Sequence, residues 1–229
     1  PAVWPSVVST TPARRPATRK RWCGIRRWAR PARPAAATTA RAPTTEGQGR
    51  RSRPASEELV ARGVREKRLS FTTSLKDGVA ASTIIFIAVG TPQKATGEAD
   101  LAYVEHVARG IAGCLPGYRL VVEKSTVPVQ TGQWIAHTIK TYLKKKRSFD
   151  VASNPEFLRE GTAIQDFMKP DRVVLGVESK RAKELLVALY QPLGAPIVVT
   201  DIKSAELIKH ASNSFLAMKI SFINAIAQL

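Results

Sequence analysis

The sequence predicts an α/β fold, a doubly wound and mainly parallel sheet followed by one long helix. Three observations lead there. From residue 54 onward, short apolar runs alternate with segments of helical period, the signature of strand–helix repetition. The run Ile84-Ile-Phe-Ile-Ala-Val89 is apolar throughout, as suits a parallel strand covered on both faces. Residues 204–229 carry Leu207, Ala211, Phe215, Met218, Phe222, Ile226 and Leu229 at helical spacing, with Leu216, Ile220 and Ile223 as a second stripe.

Taken in order, residues 57–68 have helical character, with Leu59, Val60 and Val64 on one face. Residues 69–73 alternate like a short strand, and 77–81 suit a short helix. The strand at 84–89 is broken by Gly90-Thr91-Pro92. A helix over 101–115 closes at Pro116-Gly117, and a strand follows at 119–123. Residues 131–146 read as a helix with a basic end, which suits its dipole. Strands are expected at 149–152, 172–177 and 196–200, with a helix at 180–190.

The chain has 229 residues, enough for one or two domains, and an ordinary 44% hydrophobic fraction. No run of 18 apolar residues suggests a membrane span. Two cysteines, Cys23 and Cys114, make no disulfide framework, which fits a reducing, cytoplasmic setting. The chain opens on Pro1 and stops at Leu229 within an apolar helical pattern, so a fragment is expected.

The net charge of +18 invites a nucleic-acid reading. Its distribution argues against one for the folded part. Residues 1–53 hold 13 of the 36 basic residues and only one acid, Glu46. That segment is rich in Pro, Arg, Ala and Thr, lacks hydrophobic period, and is expected to be disordered. Three readings compete for it: a basic arm for nucleic acid, a targeting segment, or a stretch foreign to the domain that follows. The abrupt boundary favours the third.

Three predicted strands end in polar loops: Val89-Gly90-Thr91-Pro92-Gln93, Ser125-Thr126-Val127-Pro128 and Asn154-Pro155-Glu156-Phe157-Leu158-Arg159-Glu160. In an open α/β sheet such loops converge on one crevice, where ligands bind. Backbone amides and small hydroxyls there suit a pyrophosphate or a nicotinamide ribose. Glu156 and Glu160 share a face if their turn runs into a helix. Lys209 and Asn213 share a face of the long helix, and a cation with an amide can stabilise one developing oxyanion. A glutamate serves as a base near neutral pH if burial raises its pKa.

Together these segments resemble the UDP-glucose/GDP-mannose dehydrogenase family. The resemblance rests on Lys124-Ser-Thr-Val-Pro-Val129, Asn154-Pro-Glu-Phe-Leu-Arg-Glu-Gly161, Asp166-Phe167, Pro170-Asp-Arg-Val-Val174 and Ala205-Glu-Leu-Ile-Lys209, with Asn213 and Phe215-Leu-Ala217. It implies a Rossmann-like NAD-binding domain over residues 54–200 and the start of a central helical domain, used for dimerisation, over 201–229. The Pro-Asp-Arg-Val-Val version is more similar to the UDP-glucose enzymes; GDP-mannose or another nucleotide sugar stays open.

The resemblance implies a two-step oxidation with NAD. The C6 alcohol of the sugar passes through an aldehyde, held by a cysteine, to a carboxylate. Glu156 matches a catalytic glutamate acting on the hydrolytic water, and Thr126 a threonine near the nicotinamide. Lys209 matches the lysine that stabilises the oxyanion, and Asn213 its partner at the sugar. Val89, Gly90, Thr91, Pro92, Gln93, Ser125, Thr126, Val127 and Glu160 match cofactor contacts. Glu156, Phe157, Leu158, Arg159, Glu160, Lys209 and Asn213 match the lining of the substrate site. A homodimer through the long helix is implied, and no metal.

The chain departs from the family in three places. Residues 1–53 contain no Gly-x-Gly-x-x-Gly, and Gly47-Gln-Gly49 lacks both a preceding strand and a third glycine. No cysteine follows the long helix, Cys114 reads as a core residue, and Cys23 matches nothing. Gln130 stands where many relatives have glycine, with little consequence expected. As given, the 229 residues are therefore not expected to oxidise UDP-glucose.

Overall fold

The computed structural model describes residues 7–10, 37–38 and 53–229. The expectations for the rest of residues 1–53, including Cys23, lie outside the described residues.

Seven strands form one sheet in the order β2-β1-β3-β4-β5-β6-β7. They are β1 (Val7–Thr10), β2 (Ala37–Thr38), β3 (Ile84–Ile87), β4 (Arg119–Glu123), β5 (Phe149–Ser153), β6 (Val173–Val177) and β7 (Ile197–Thr200). The helices are α1 (Arg53–Arg65), α2 (Leu75–Ala81), α3 (Ala102–Cys114), α4 (Thr131–Tyr142), α5 (Ala163–Met168), α6 (Lys180–Tyr190) and α7 (Ile202–Ala227).

Across β3–β7, three of the four pairings are parallel, giving the expected doubly wound architecture. The exception is β5 with β6, which run antiparallel. A parallel return needs a crossover as long as the strands, usually a helix. The only helix between them is α5, whose six residues rise about 9 Å. The chain therefore re-enters the sheet from the edge at which β5 left it. Beside β3 lies β1, also antiparallel. Six residues of the segment expected to be disordered thus belong to strands.

Alternate residues of the strands feed two cores. Ile85, Ile87, Val121 and Val151 face α3 and α4, where Val104, Val107, Ile111, Ile135 and Ile139 are fully buried or nearly so. Ile84, Phe86, Leu120, Val122, Val173 and Leu175 face α6, against Ala182, Leu186 and Tyr190. Each such side chain contributes roughly 1.5–3 kcal/mol by burial. Gly176 on β6 lets α7 approach the sheet: a Cβ there would meet Ala205 Cβ at 2.6 Å and Ile202 Cα at 2.8 Å.

Element ends follow local chemistry. Ser74, Ser179 and Asp201 cap α2, α6 and α7 by accepting from the amides of Asp77, Ala182 and Ser204. The expected strand at 69–73 does not form. The Arg68 and Leu69 amides instead donate to the Gly63 carbonyl, closing α1, and the Ser74 amide donates to Thr72 Oγ1. α4 stops at Tyr142, short of the expected residue 146, ahead of the like charges Lys144, Lys145, Lys146 and Arg147. Gln130 has φ +80°, so a side chain stands where glycine is free of strain. That placement costs on the order of 1 kcal/mol, more than the sequence suggested.

Candidate active site

The strand register sets the level of the site. Ile87, Glu123 and Ser153 lie side by side on β3, β4 and β5, so the loops that follow start from one edge. They are joined there. Ser125 Oγ accepts from the Val89 amide at 3.0 Å and donates to the Val89 carbonyl at 2.8 Å. Thr91 Oγ1 donates to the Thr126 carbonyl at 2.9 Å. Val127 is buried, and its carbonyl lies 2.6 Å from the His210 ring of α7. Gly90 is exposed and has room around it. Pro92 and Gln93 lie further out, in a turn closed by the Asp100 amide on the Pro92 carbonyl and a Gln93–Ala99 bridge.

The third loop brings Glu156 to α7. Lys209 Nζ donates to Glu156 Oε1 at 3.0 Å, and Lys209 is buried although it carries a charge. Phe157 lies between two cations, with Lys209 Nζ 5.6 Å and the Arg172 guanidinium 4.7 Å from its ring centre. Burial acts to raise the Glu156 pKa. The Leu158 amide at 2.6 Å, the Lys209 partner and the charge of Lys124 together outweigh it, and the carboxyl sits below its ordinary value. Burial therefore does not make this glutamate more basic in the unliganded arrangement, and it stands as a carboxylate.

Residues 154–159 form no helix or strand, so Glu156 and Glu160 do not share a helix face. Pro155 and the amide contacts of Asn154 hold the segment open. Glu160 and Leu158 are exposed. Arg159 turns to Asp166, with Nη2–Oδ1 at 2.7 Å and its own amide on Oδ2 at 3.0 Å. Asn213 lies one turn beyond Lys209 and is exposed. The structure thus gathers Glu156, Phe157, Lys209 and the 125–127 loop. A cavity of about 330 Å³ adjoins them, lined by Lys124, Asn154, Glu156, Phe157, Arg172 and Tyr190 among others. Leu158 and Arg159 are exposed but also line this cavity, and Glu160 and Asn213 are exposed outside it.

Several side chains behind the site were not assigned from the sequence. Lys124 and Asn154 stood inside the quoted motifs but carried no role. Glu206 reaches from α7 to accept from the Gln130 and Gly132 amides at 2.6 and 2.7 Å, filling the start of α4. Glu123 accepts from the Ser125 amide at 2.6 Å, while its Oε2 is buried with no hydrogen-bond partner among the described residues. Burial, opposed by that amide and aided by Glu206, raises its pKa to about 8. Cys114 ends α3 at the opposite, amino edge of the sheet, its thiol raised by burial.

A parallel α/β core with polar loops at its carboxyl edge, followed by a long helix that returns a buried lysine to that edge, defines a Rossmann-type domain. The profile of the UDP-glucose/GDP-mannose dehydrogenase family, NAD binding domain, matches residues 45–194, and that of its central domain matches residues 203–229. The chain belongs to this family. It is 49% identical over 176 residues to a UDP-glucose 6-dehydrogenase of Bacillus subtilis, covering 77% of this chain and 38% of that one. It is 50% identical over 182 residues to a UDP-glucose 6-dehydrogenase of Rhizobium meliloti, covering 77% and 41%. Among solved structures it is similar to a UDP-glucose dehydrogenase from the archaeon Pyrobaculum islandicum, with 46% identity, a TM-score of 0.73 and coverage of 76% and 41%. A GDP-mannose dehydrogenase from Pseudomonas aeruginosa has 39% identity, a TM-score of 0.72 and coverage of 75% and 41%. The chain therefore spans about two fifths of the length of these relatives.

Proposed function

We propose that this chain supplies the NAD-binding and catalytic-edge part of an enzyme that oxidises the C6 alcohol of UDP-glucose to the carboxylate of UDP-glucuronate. The observation that carries the reading is the buried Lys209 held 3.0 Å from Glu156 at the shared carboxyl edge. A buried ammonium is costly unless charge is placed against it. An oxyanion forming on the sugar would take over that role. Higher identity to the UDP-glucose enzymes than to the GDP-mannose enzyme favours the former sugar nucleotide.

The residues present fit the nicotinamide end of NAD. The open surface at Gly90 and the Ser125 clasp on Val89 would hold it, with Thr91, Thr126 and Val127 alongside. When bound, NAD would accept one hydride in each of the two oxidation steps, from alcohol to aldehyde and from the aldehyde level to the acyl level, which the hydrolytic water then converts to carboxylate. Around it, Lys209 neutralises the alkoxide and Asn213 hydrogen-bonds the same sugar. Glu156, released from Lys209, takes a proton from the hydrolytic water, and Thr126 orients that water. The exposed apolar residues of α7 would meet a second copy in a dimer.

The test is a chimera in which the glycine-rich turn and the carboxyl-terminal part of the B. subtilis relative are joined to residues 54–229. NADH formation with UDP-glucose is expected, and Lys209→Ala should cut it by roughly 10²-fold or more, as for an oxyanion donor. Turnover of GDP-mannose but not UDP-glucose would overturn the substrate assignment. An unaffected Lys209→Ala chimera would overturn the role of the lysine.

A further inference from the structure

Lys124 and Asn154 directly follow the last residues of β4 and β5, which are paired in register. Lys124 Nζ donates to Asn154 Oδ1 at 3.1 Å, and the buried Tyr190 hydroxyl donates to the same oxygen. Asn154 Nδ2 donates to the Val174 carbonyl at 2.9 Å, and the Asn154 amide to the Glu123 carbonyl at 2.8 Å. The asparagine is thus held from β4, β6 and α6 at once. Pro155 then fixes φ, and Glu156 is the next residue. Lys124 forms no ion pair among the described residues, yet it lines the same cavity as Glu156 and acts on its carboxylate.

We propose that Lys124 is a positioning residue for Glu156: it clamps the turn that carries the carboxylate, and it is the cation that keeps this carboxylate ionised when Lys209 turns to a sugar-nucleotide oxygen. The inference rests on the functional reading above. Lys209 is asked to perform two tasks, pairing Glu156 and stabilising substrate charge, and cannot complete both together. Were it the only cation, its departure would leave a half-buried carboxylate to desolvation, which favours the protonated form. A proton already on Glu156 would end its use as a base. With Lys124 behind it, the carboxylate loses one hydrogen bond but remains charged, so it becomes more basic without being neutralised. Burial, with the Lys209 charge adding to it and Glu156 opposing it, lowers the Lys124 pKa to about 8, so at pH 7 most molecules retain the charge.

The experiment follows the Glu156 carboxyl carbon by NMR, in glutamate-labelled 229-residue chain without ligand, as pH is varied. Lys209→Met removes the first cation. Lys124→Gln in that background removes the second charge but leaves a donor for Asn154. The Glu156 midpoint is expected to rise by about one pH unit or more from the single to the double variant. Lys124→Arg in place of Gln should hold it near the single-variant value. Equal midpoints in the single and double variants would overturn the proposal. Should the double variant unfold, the Lys209→Met chain alone decides. Its Glu156 signal should show a second inflection above pH 8, where Lys124, relieved of the repulsion from Lys209, loses its proton, and a single smooth titration would overturn the proposal. UDP-glucose added to wild-type chain separates the two readings. If it leaves the Glu156 signal unmoved while the Lys124 effect is present, only the functional reading fails.

Discussion

The two halves of α7 obey different rules. In the first, Ile202, Ala205, Glu206 and Lys209 are buried, two of them charged. In the second, Phe215, Leu216, Met218, Ile220, Phe222, Ile223 and Ile226 are exposed, and Phe222 keeps 66% of its surface open. Hydrophobicity alone would predict the reverse. Burial is decided by what stands opposite: β6 at Gly176, the start of α4 at Glu206, and Glu156 at Lys209. The inner half is fixed by this chain's own sheet. The family's central-domain profile matches residues 203–229, nearly the whole helix, and the chain spans about two fifths of the length of its relatives.

The sharpest way to break the inner half is Gly176→Ala. The added Cβ would meet Ile202 Cα at 2.8 Å and the Asp201 carbonyl at 3.0 Å, both main chain, which cannot rotate away. Overpacking of this kind costs about 2–3 kcal/mol. Urea unfolding should show that loss, and the Glu156–Lys209 contact should loosen with it. A loss under about 0.5 kcal/mol, as for an ordinary surface site, would mean that α7 is not seated as described.

A smaller effect tests the buried carboxylates beneath the helix. Glu123 has a pKa raised to about 8 by burial, the neighbouring Glu206 adding to it. A folded value above the unfolded one means the contribution is complete below about pH 4.3 and is lost as pH climbs toward 8. Wild-type stability should therefore decline over that window. Glu123→Gln cannot ionise and keeps an oxygen for the Ser125 amide, so its decline should be shallower. Relative to wild type, the variant should gain on the order of 1 kcal/mol between pH 5 and pH 8. Parallel curves for the two proteins would show that Glu123 is not the titrating group.

The same contrast explains what could be read from the sequence. Strands β3 to β7, α3, α6 and the long helix were legible because each buries a face whose period is written locally, whereas β1 and β2 fall in the segment expected to be disordered. The antiparallel entry of β6 was not, since it depends on the shortness of α5 within residues 154–172. Of the site, Glu156 and Lys209 were legible only as parts of a joint pattern. Either alone is an ordinary helix or loop charge. Tyr190 and Glu206 carry no local signal, because their partners lie 36 residues away for the first and 76 and 74 for the second, in elements brought near by folding. Glu123 accepts from an amide only two residues on, but its burial is set by the surrounding fold. The condition that burial raise the Glu156 pKa is not met for a similar reason: burial was foreseeable, but the Leu158 amide and two lysines were not.

The smallest effect on stability is expected in the outer half. Phe215, Phe222 and Ile226 lie on one stripe of α7, all largely exposed. Replacing each with Gln removes apolar surface that this chain does not bury, so the folded state loses little packing. Gln also has a helix propensity at least equal to that of Phe or Ile. Each substitution should shift stability by no more than about 0.5 kcal/mol. Association should respond strongly, because an apolar patch of this extent favours contact between copies. Sedimentation equilibrium should show concentration-dependent self-association for the wild-type chain and its loss in the triple variant, with unfolding midpoints nearly equal at low concentration. A triple variant that melts well below wild type at low concentration would place this stripe inside the chain's own core and remove the distinction between the two halves of the helix.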